Sequence, residues 1–450
     1  MRSVDDKADI YEQRRYELKR ICINNGFQAA MIDSPENLRY YTGFTGGEAM
    51  FIIMPDDNVS NNRGKDGITV SGKNDNNNSN NKNNVNNVNN DNDINSNNNR
   101  MVILNKNIQK AIREKGMCII TDSRYYEQVE KESPDVPLVR LDNKTYIEVI
   151  CAVLSYYNTD NIINEMNSCN LNGNDCYVNR DENSIITVAI EDSMKLSRYL
   201  KLKDTLKGCD LIVAGEKLNK PRMVKDDTEL SLIKRAETIG DEAFTYILSI
   251  IKPGMTEREI AIELEFFMKR KGASKLSFDT IVASGRNSSM PHAQVTDKVI
   301  ENGDFVTMDF GCVYEGYCSD MTRTIAVGKP TDEMKKVYQI VLDANLYALE
   351  GIKAGVKCSD IDALARDHIR NKGYGDYFGH GLGHSVGLFI HEEPRFSPKC
   401  DTITEKNMVI TDEPGIYLPG KFGVRIEDLV VVKEDGYELL SHSPKELIVI

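Results

Sequence analysis

Carboxylates and histidines concentrate in five short segments of the second half of this 450-residue chain. Each segment is rich in glycine or has the pattern of a strand, so its backbone can approach a ligand closely. One of them, residues 379–394, holds three of the six histidines among several glycines, a pattern more typical of a site than of ordinary structure. The five segments are residues 304–311, 316–324, 379–394, 411–417 and 424–428.

Four acidic residues fall where strands can bring them together. Alternation along residues 305–310 puts Asp309 on the face opposite the apolar residues, and a strand–turn–strand can bring Asp320 beside it. Glu413 ends a strand before Pro-Gly, and Glu427 precedes an apolar run. A lone Asp or Glu is more often a turn or surface residue, but the apolar surroundings favour a shared site because unpaired buried carboxylates are costly.

Such a cluster indicates a metal centre. One pair of like charges at about 4 Å costs about 4 kcal/mol at an effective dielectric of 20, so four carboxylates without counter-ions would repel strongly. Two divalent cations would balance them, with neutral His384 as a fifth ligand. Oxygen-rich ligation with one imidazole suits Mn²⁺, Fe²⁺ or Co²⁺, and Zn²⁺ is compatible. Two such ions about 3.5–4 Å apart can share a hydroxide and make it nucleophilic at neutral pH, which is hydrolytic chemistry.

Two domains are predicted to position these residues. Strands and helices alternate through residues 1–210, which predicts an α/β domain, while residues 220–450 predict an α+β domain with long helices on a largely antiparallel sheet. Thr256 and Glu259 form a capping box before one further helix. The long helices are predicted at residues 227–251, 332–354 and 359–371, and the strands of this half at residues 305–310, 321–327, 408–417 and 424–432.

Residues 58–100 form the compositional outlier. Between Asn74 and Asn99, 17 of 26 residues are asparagine. Such a tract cannot bury enough apolar surface to offset the entropy of ordering it. We therefore expect a disordered insertion that emerges from the first domain.

Composition excludes several classes of function. The net charge of −13 makes the chain a poor candidate for binding nucleic acid. No stretch of about 18 apolar residues exists, so no membrane association is expected, and the polar start shows no secretory signal. The ten cysteines include no C-x-x-C pair and predict reduced thiols. These features predict a cytoplasmic protein.

The ordered motifs of the second half resemble the pita-bread metallopeptidases, which include methionine aminopeptidase, aminopeptidase P and prolidase. The resemblance covers most of residues 220–450. The first half is similar to the N-terminal domain of the creatinase, prolidase and aminopeptidase P branch, through residues 33–44 and 121–128. The motifs of the second half are Met290–Ala293, Met308–Gly311, Ser319–Thr324, Gly379–Pro394, Glu413–Tyr417 and Gly423–Asp428.

The resemblance implies a pita-bread catalytic domain and a set of site residues. The implied metal ligands are Asp309, Asp320, His384, Glu413 and Glu427. Glu413 is also implied to carry a proton to the leaving nitrogen, and His391 and His292 are implied to be catalytic.

The resemblance also implies the neighbours and partners of this site. His380 lines the proline side of the pocket, and Arg425 orients a ligand carboxylate. Two divalent ions, Mn²⁺ first, proline-containing peptides and a homodimer complete the expectation. Asp412 departs from the family pattern, in which an apolar residue precedes Glu-Pro-Gly.

The activity expected from this resemblance is removal of an N-terminal residue that precedes proline, as in an Xaa-Pro aminopeptidase. The nearest alternative is an Xaa-Pro dipeptidase, or prolidase, which shares all the metal motifs. An amidinohydrolase of the creatinase type is disfavoured because creatinase lacks the ligand set. A non-catalytic pita-bread binding module is also disfavoured, since such modules typically lose their ligands.

Overall fold

A computed structural model of the chain describes residues 4–55, 104–157, 176–177 and 185–450. It divides into two compact units, Met1–Leu218 and Asn219–Ile450. The insertion predicted at residues 58–100 lies outside the described ranges. None of the helices within those ranges combines the length and the apolar character needed to cross a bilayer.

The first unit is built on a mixed six-stranded sheet. The described strands of this unit, in the sheet and outside it, are β1 (Ala29–Ile32), β2 (Met50–Ile53), β3 (Met117–Thr121), β4 (Leu138–Arg140), β5 (Cys176–Tyr177), β6 (Ile186–Ile190), β7 (Leu206–Lys207) and β8 (Cys209–Val213). The sheet order is β4-β3-β2-β1-β6-β8, and β5 pairs separately with β7. Strands β1 to β3 pair antiparallel, whereas β4, β6 and β8 each join a neighbour in parallel.

Helices connect and flank these strands. They are α1 (Val4–Asn25), α2 (Pro35–Thr42), α3 (Lys106–Lys115), α4 (Tyr126–Glu132), α5 (Tyr146–Tyr157), α6 (Leu196–Thr205) and α7 (Gly215–Asn219). Helix α5 is apolar and packs Val149 and Val153 into the same core cluster as Met31 of β1. The alternation of buried strands with helices confirms the predicted α/β class.

One cysteine of this unit differs from the expectation of reduced thiols. Cys151 on α5 is disulfide-bonded, whereas the described cysteines Cys22, Cys118 and Cys209 of the same unit are free. The absence of C-x-x-C excludes only pairs that are close in sequence, so it does not exclude a bridge that folding brings together.

The second unit carries four long helices, α8 (Asp227–Ile250), α9 (Glu257–Arg270), α10 (Asp332–Gly351) and α11 (Cys358–Asn371). The capping box of Thr256 and Glu259 begins α9 as predicted. A second capping box, of Asp226 and Glu229, begins α8. Each helix buries one face in a cluster that it shares with strands, so the helices cover the strands.

The strands of the second unit pair antiparallel throughout their described ladders. They are β9 (Lys275–Leu276), β10 (Ile281–Ser284), β11 (Asp304–Phe310), β12 (Cys312–Tyr314), β13 (Tyr317–Cys318), β14 (Met321–Val327), β15 (Gly383–Ser385), β16 (Glu392–Phe396), β17 (Val409–Asp412), β18 (Gly415–Leu418), β19 (Phe422–Arg425), β20 (Asp428–Lys433) and β21 (Gly436–Leu439). Long helices on antiparallel strands confirm the predicted α+β class.

Two apolar clusters hold the helices to the strands. One packs α8 and α9 against β10, β11 and β14, and it includes Met308 and Phe310. The other packs α10 and α11 against β17 to β20. Because side chains alternate along β11, Asp309 points away from Met308 and Phe310, as the pattern predicted. It lines a cavity.

Two of the predicted strands are broken in the structure. The run at residues 408–417 divides into β17 and β18 at Glu413-Pro414, and the run at 424–432 divides into β19 and β20 at Ile426-Glu427. Proline has no N–H to donate to a ladder, which explains the first break. Both breaks coincide with an acidic residue of the predicted site.

Candidate metal centre

The five predicted ligand residues come from five separate places in the second unit that meet at one cavity. The cavity has a volume of about 520 Å³. Asp309 lies on β11, Asp320 between β13 and β14, and His384 on β15. Glu413 follows β17 and Glu427 precedes β20.

Three of these side chains are close enough to share an ion. Asp320, His384 and Glu427 each offer a ligand atom within 4.8 Å of the other two. All three residues are buried. The Nε2 atom of His384 lies 3.4 Å from Asp320 and 3.7 Å from Glu413. His384 Nδ1 lies 3.2 Å from the Ser385 carbonyl oxygen, and donation to it leaves Nε2 free to act as a ligand.

Asp309 is held by a cation on one side and open on the other. Arg425 Nη2 donates to its Oδ2 atom. The Oδ1 atom is buried and accepts no hydrogen bond from the described residues. A second link joins Arg425 to the centre, since its Nε donates to Thr322 Oγ1 over 3.0 Å and Thr322 donates to Glu427 Oε2 over 2.7 Å.

Burial, and after it repulsion between neighbouring carboxylates, disfavours the charged forms of the acids in the cavity. Burial, reinforced by neighbouring carboxylates, raises the pKa of Asp320 and the pKa of Glu427 well above their ordinary values. Burial also raises the pKa of Glu413, although His384 and Arg425 oppose that shift. The Arg425 guanidinium, which pairs with Asp309, does not balance this much negative charge.

The residues present fit a pair of divalent cations. The donor set is rich in carboxylate oxygen with one imidazole nitrogen, as Mn²⁺, Fe²⁺ and Co²⁺ prefer. The buried Oδ1 atom of Asp309 has no donor within the described part of the chain, and a cation would satisfy it. Cations would also relieve the repulsion among the carboxylates.

His380 forms part of the cavity wall and is neutral. Its Nδ1 lies 2.8 Å from the Gly381 carbonyl, so Nδ1 carries the proton and Nε2 accepts the hydroxyl of Tyr417 over 2.9 Å. Burial, together with the nearby Arg425, lowers the pKa of His380 to about 4. The same Tyr417 hydroxyl accepts a hydrogen bond from Arg425 over 3.0 Å.

His391 and His292 both line the cavity without belonging to the ligand group. The ring of His391 lies 4.6 Å from the ring of His384, centroid to centroid. Burial and then the nearby His384 lower the pKa of His391 to about 4. His292 is exposed at the rim of the cavity.

Two close contacts set the strand that carries His384. A Cβ atom on Gly383 would lie 1.9 Å from the Thr411 carbonyl oxygen, so β15 can approach β17 only with glycine there. His384 N–H then donates to Thr411 Oγ1 over 3.0 Å. The position of His384 therefore depends on its glycine neighbour.

A buried ion cluster anchors the segment between His384 and His391. Glu392 accepts from Arg222 and, over 3.3 Å, from Lys225. Lys225 also donates to Ser385 Oγ over 3.1 Å. Burial alone would raise the pKa of Glu392, but the two cations outweigh it and the pKa lies below its ordinary value.

Sequence reasoning missed Arg395, which also lines the cavity. Its side chain is 46% exposed, and its guanidinium pairs with the exposed Glu393 over 3.2 Å. The available signal was its position directly after the predicted segment 379–394, which places a cation close to the three histidines in the chain.

Comparison with known proteins gives two domain matches. Residues 231–434 match metallopeptidase family M24, and residues 14–61 match the creatinase/prolidase N-terminal domain. The chain is 48% identical over 260 residues to an uncharacterized peptidase of Bacillus subtilis, a match that covers 58% of this chain and 74% of that protein. It is 42% identical over 262 residues to an Xaa-Pro dipeptidase of Pyrococcus furiosus, with 58% and 75% covered.

Solved structures are similar over nearly the whole chain. An Xaa-Pro dipeptidase from Bacillus anthracis superimposes with a TM-score of 0.76 and 34% identity, covering 97% of this chain and 99% of the other. An X-Pro aminopeptidase from Thermotoga maritima superimposes with a TM-score of 0.71 and 32% identity over the same shares. The likeness therefore extends beyond the cavity to both units taken in order.

Proposed function

The chain belongs to metallopeptidase family M24 and is a hydrolase, and we propose that it cleaves the bond between an N-terminal residue and a following proline. The observation that carries this proposal is the convergence of Asp320, His384 and Glu427, with Asp309 and Glu413 on the same cavity. A binding module has no need for a buried set of repelling carboxylates, which costs stability unless cations are bound.

We propose that the five ligand residues hold two divalent cations, with Mn²⁺ as the first candidate. When bound, the cations supply Lewis-acid activation of water and of the scissile carbonyl. Arg425 keeps one carboxylate oxygen of Asp309 occupied, so that the other faces the ions. The Thr322 hydroxyl donates to Glu427 Oε2 and so restrains the carboxylate of Glu427.

Glu413 carries the proton in this proposal. Its carboxylate takes a proton from the attacking water and delivers it to the nitrogen of the leaving proline. Thr411 Oγ1 lies 3.4 Å from Glu413 Oε1 and limits the rotation of the carboxylate.

The histidines around the ligands act on the substrate. A neutral His391 donates an N–H to the oxygen on which negative charge develops. His292, at the exposed rim, supports the leaving nitrogen. His380 cannot swing into the cavity, because both of its ring nitrogens are engaged, and it forms a fixed wall for the proline ring.

Proline specificity has a simple chemical basis. The tertiary amide before proline has no N–H, and the ring fixes φ, so a site built for ordinary peptides binds it poorly. The Xaa-Pro dipeptidases and the X-Pro aminopeptidase among the similar proteins support this substrate class.

One observation favours a dipeptidase over the aminopeptidase expected from the sequence. Arg395 lines the cavity, and its partner there, Glu393, is exposed and easily exchanged. A guanidinium in this place can pair with the free carboxylate of a dipeptide such as Gly-Pro. A longer peptide presents an uncharged amide at the same point.

A length series tests both proposals. Purified protein is assayed with Gly-Pro and with Gly-Pro-Pro-Ala, with Mn²⁺ and with chelator. Chelator is expected to abolish hydrolysis of both, and preference for Gly-Pro supports the dipeptidase. Hydrolysis of neither peptide in the presence of Mn²⁺ would refute the proposed function.

Arg395→Met tests the role of the guanidinium. A charged hydrogen bond contributes about 1.5–3 kcal/mol, so KM for Gly-Pro is expected to rise by about 10- to 100-fold, while KM for Gly-Pro-Pro-Ala stays at its wild-type value. Arg370→Met is the matched control, because Arg370 is an exposed arginine paired with Asp367 on α11. Equal changes for the two peptides would contradict a carboxylate-binding role.

A further inference from the structure

A buried charged network lies behind the metal centre and has no part in the chemistry above. Its acids are Asp412 and Asp428, which face each other in the register of β17 and β20. Both are fully buried. Neither acid belongs to the proposed ligand set, so the pair calls for an explanation of its own.

A continuous chain of hydrogen bonds joins the two acids. Asn345 on α10 donates to Asp412 Oδ2 over 3.0 Å and to its carbonyl over 3.2 Å. Lys445 Nζ donates to Asn345 Oδ1 over 2.9 Å and to Asp428 Oδ2 over 2.6 Å. Arg323 on β14 donates to Asp428 Oδ1 over 2.8 Å. Lys445 therefore bridges the two acids through Asn345.

The network touches the backbone beside three proposed ligands. Asp412 directly precedes Glu413, and Asp428 directly follows Glu427. Arg323 lies on β14, three residues after Asp320, which directly precedes that strand. Arg323 also donates to the Glu427 carbonyl oxygen, which fixes the backbone of that ligand.

The segment that carries Lys445 is itself fixed in place. Tyr338 on α10 donates its hydroxyl to the Lys445 carbonyl over 2.8 Å. Arg323 donates to the Ser443 carbonyl over 2.8 Å. The side chain of Lys445 is 16% exposed, so its charge acts in a medium of low polarity and its attraction for Asp428 is screened little.

We propose that Lys445 is a positioning residue for the metal centre, since through Asn345 it links Asp412 and Asp428, the neighbours in sequence of Glu413 and Glu427. The inference rests on the ligand roles proposed above. Without the lysine, Asn345 and Asp428 lose the cation that joins them, although the β17–β20 ladder and Arg323 remain. The side-chain link between Asp412 and Asp428 is then broken. Glu413 and Glu427 then lose the fixed spacing that two ions require.

The test compares Lys445→Met with Lys445→Arg. Methionine keeps the apolar length and removes the charge, whereas arginine keeps the charge. Mn²⁺ affinity is measured by calorimetric titration of the metal-free full-length chain, alongside Tm, kcat and KM for Gly-Pro. Lys421→Met is the matched control, since Lys421 pairs with Glu333 on the exposed surface of the same unit.

Lys445→Met is expected to weaken Mn²⁺ binding by about 10- to 100-fold, the usual effect of losing a residue that orients ligands. At saturating Mn²⁺, KM for Gly-Pro stays at its wild-type value while kcat falls. Lys445→Arg restores most of the affinity, and Lys421→Met leaves it unchanged. A folded Lys445→Met protein with wild-type Mn²⁺ affinity would overturn the inference, even if its Tm falls.

Asn345→Ala keeps the proposal testable if Lys445→Met does not fold. It breaks the link to Asp412 while Lys445 keeps its ion pair with Asp428, and weaker Mn²⁺ binding is expected again. Wild-type affinity in this variant would contradict the bridging role. Failure of the proposed function has a different signature, because the wild-type chain itself would then bind no Mn²⁺ and cleave no Xaa-Pro bond.

Discussion

Removing one carboxylate from the centre should have opposite effects on stability and on function. Asp320→Asn deletes a charge whose oxygen lies within 4.8 Å of an oxygen of Glu427. At an effective dielectric of 20, that single repulsion amounts to about 3.5 kcal/mol at full ionisation. In metal-free protein, at a pH where both acids are ionised, we therefore expect Asp320→Asn to raise the free energy of unfolding by about 3.5 kcal/mol.

The metal-loaded enzyme should respond in the opposite direction. A bound ion stabilises the folded state by about 2.7 kcal/mol at a hundredfold excess over its Kd, and Asp320→Asn should lose that gain together with activity. Denaturant unfolding is followed with chelator and then with Mn²⁺, and the metal content of each protein is measured. Asp435→Asn, in an exposed turn, is the control and should change neither quantity.

Two outcomes would refute this reasoning. If metal-free Asp320→Asn is no more stable than the wild type, repulsion between Asp320 and Glu427 does not destabilise the metal-free protein. If the variant retains the wild-type metal content, Asp320 is not a ligand.

Two further predictions concern the segment that carries the histidines. His391→Ala should retain its metal, because the side chain lies beside His384 rather than among the ligands. Its kcat should fall about 100- to 1000-fold, as for the loss of an oxyanion donor. Loss of the metal together with the activity would contradict this role. Glu392→Gln leaves Arg222 and Lys225 buried without their acid and should cost about 3 kcal/mol at neutral pH in denaturant unfolding. Because the folded pKa of Glu392 lies below the ordinary 4.5, this difference should persist at neutral pH and shrink as pH falls from about 4.5; a difference that grows in acid would show the wrong sign.

Local rules explain what the sequence predicted well. The capping box of Thr256 and Glu259 depends on residues three apart, so its helix start is visible in the sequence. The direction of Asp309 follows from the twofold period of its strand. Both predictions needed no knowledge of distant residues.

Long-range partners explain what it could not predict. Arg222 meets Glu392 across 170 positions, and Lys445 meets Asn345 across 100. No sequence periodicity links such pairs. In the sequence, each of these charged residues is indistinguishable from an ordinary surface charge. The break of a strand at Glu427 was also missed, because the residues on both sides of it have the composition of strands.

The breaks at Glu413 and Glu427 separate the scaffold from its chemistry. Neither residue belongs to an apolar core cluster in the described chain, and their backbone N–H groups donate to the carbonyl oxygens of Leu382 and Thr322 whatever side chain is present. Evolution can therefore delete either acid by one codon change while the architecture survives. Among proteins that share this fold, the presence of acids at these two breaks should distinguish hydrolases from inactive relatives better than overall sequence identity does.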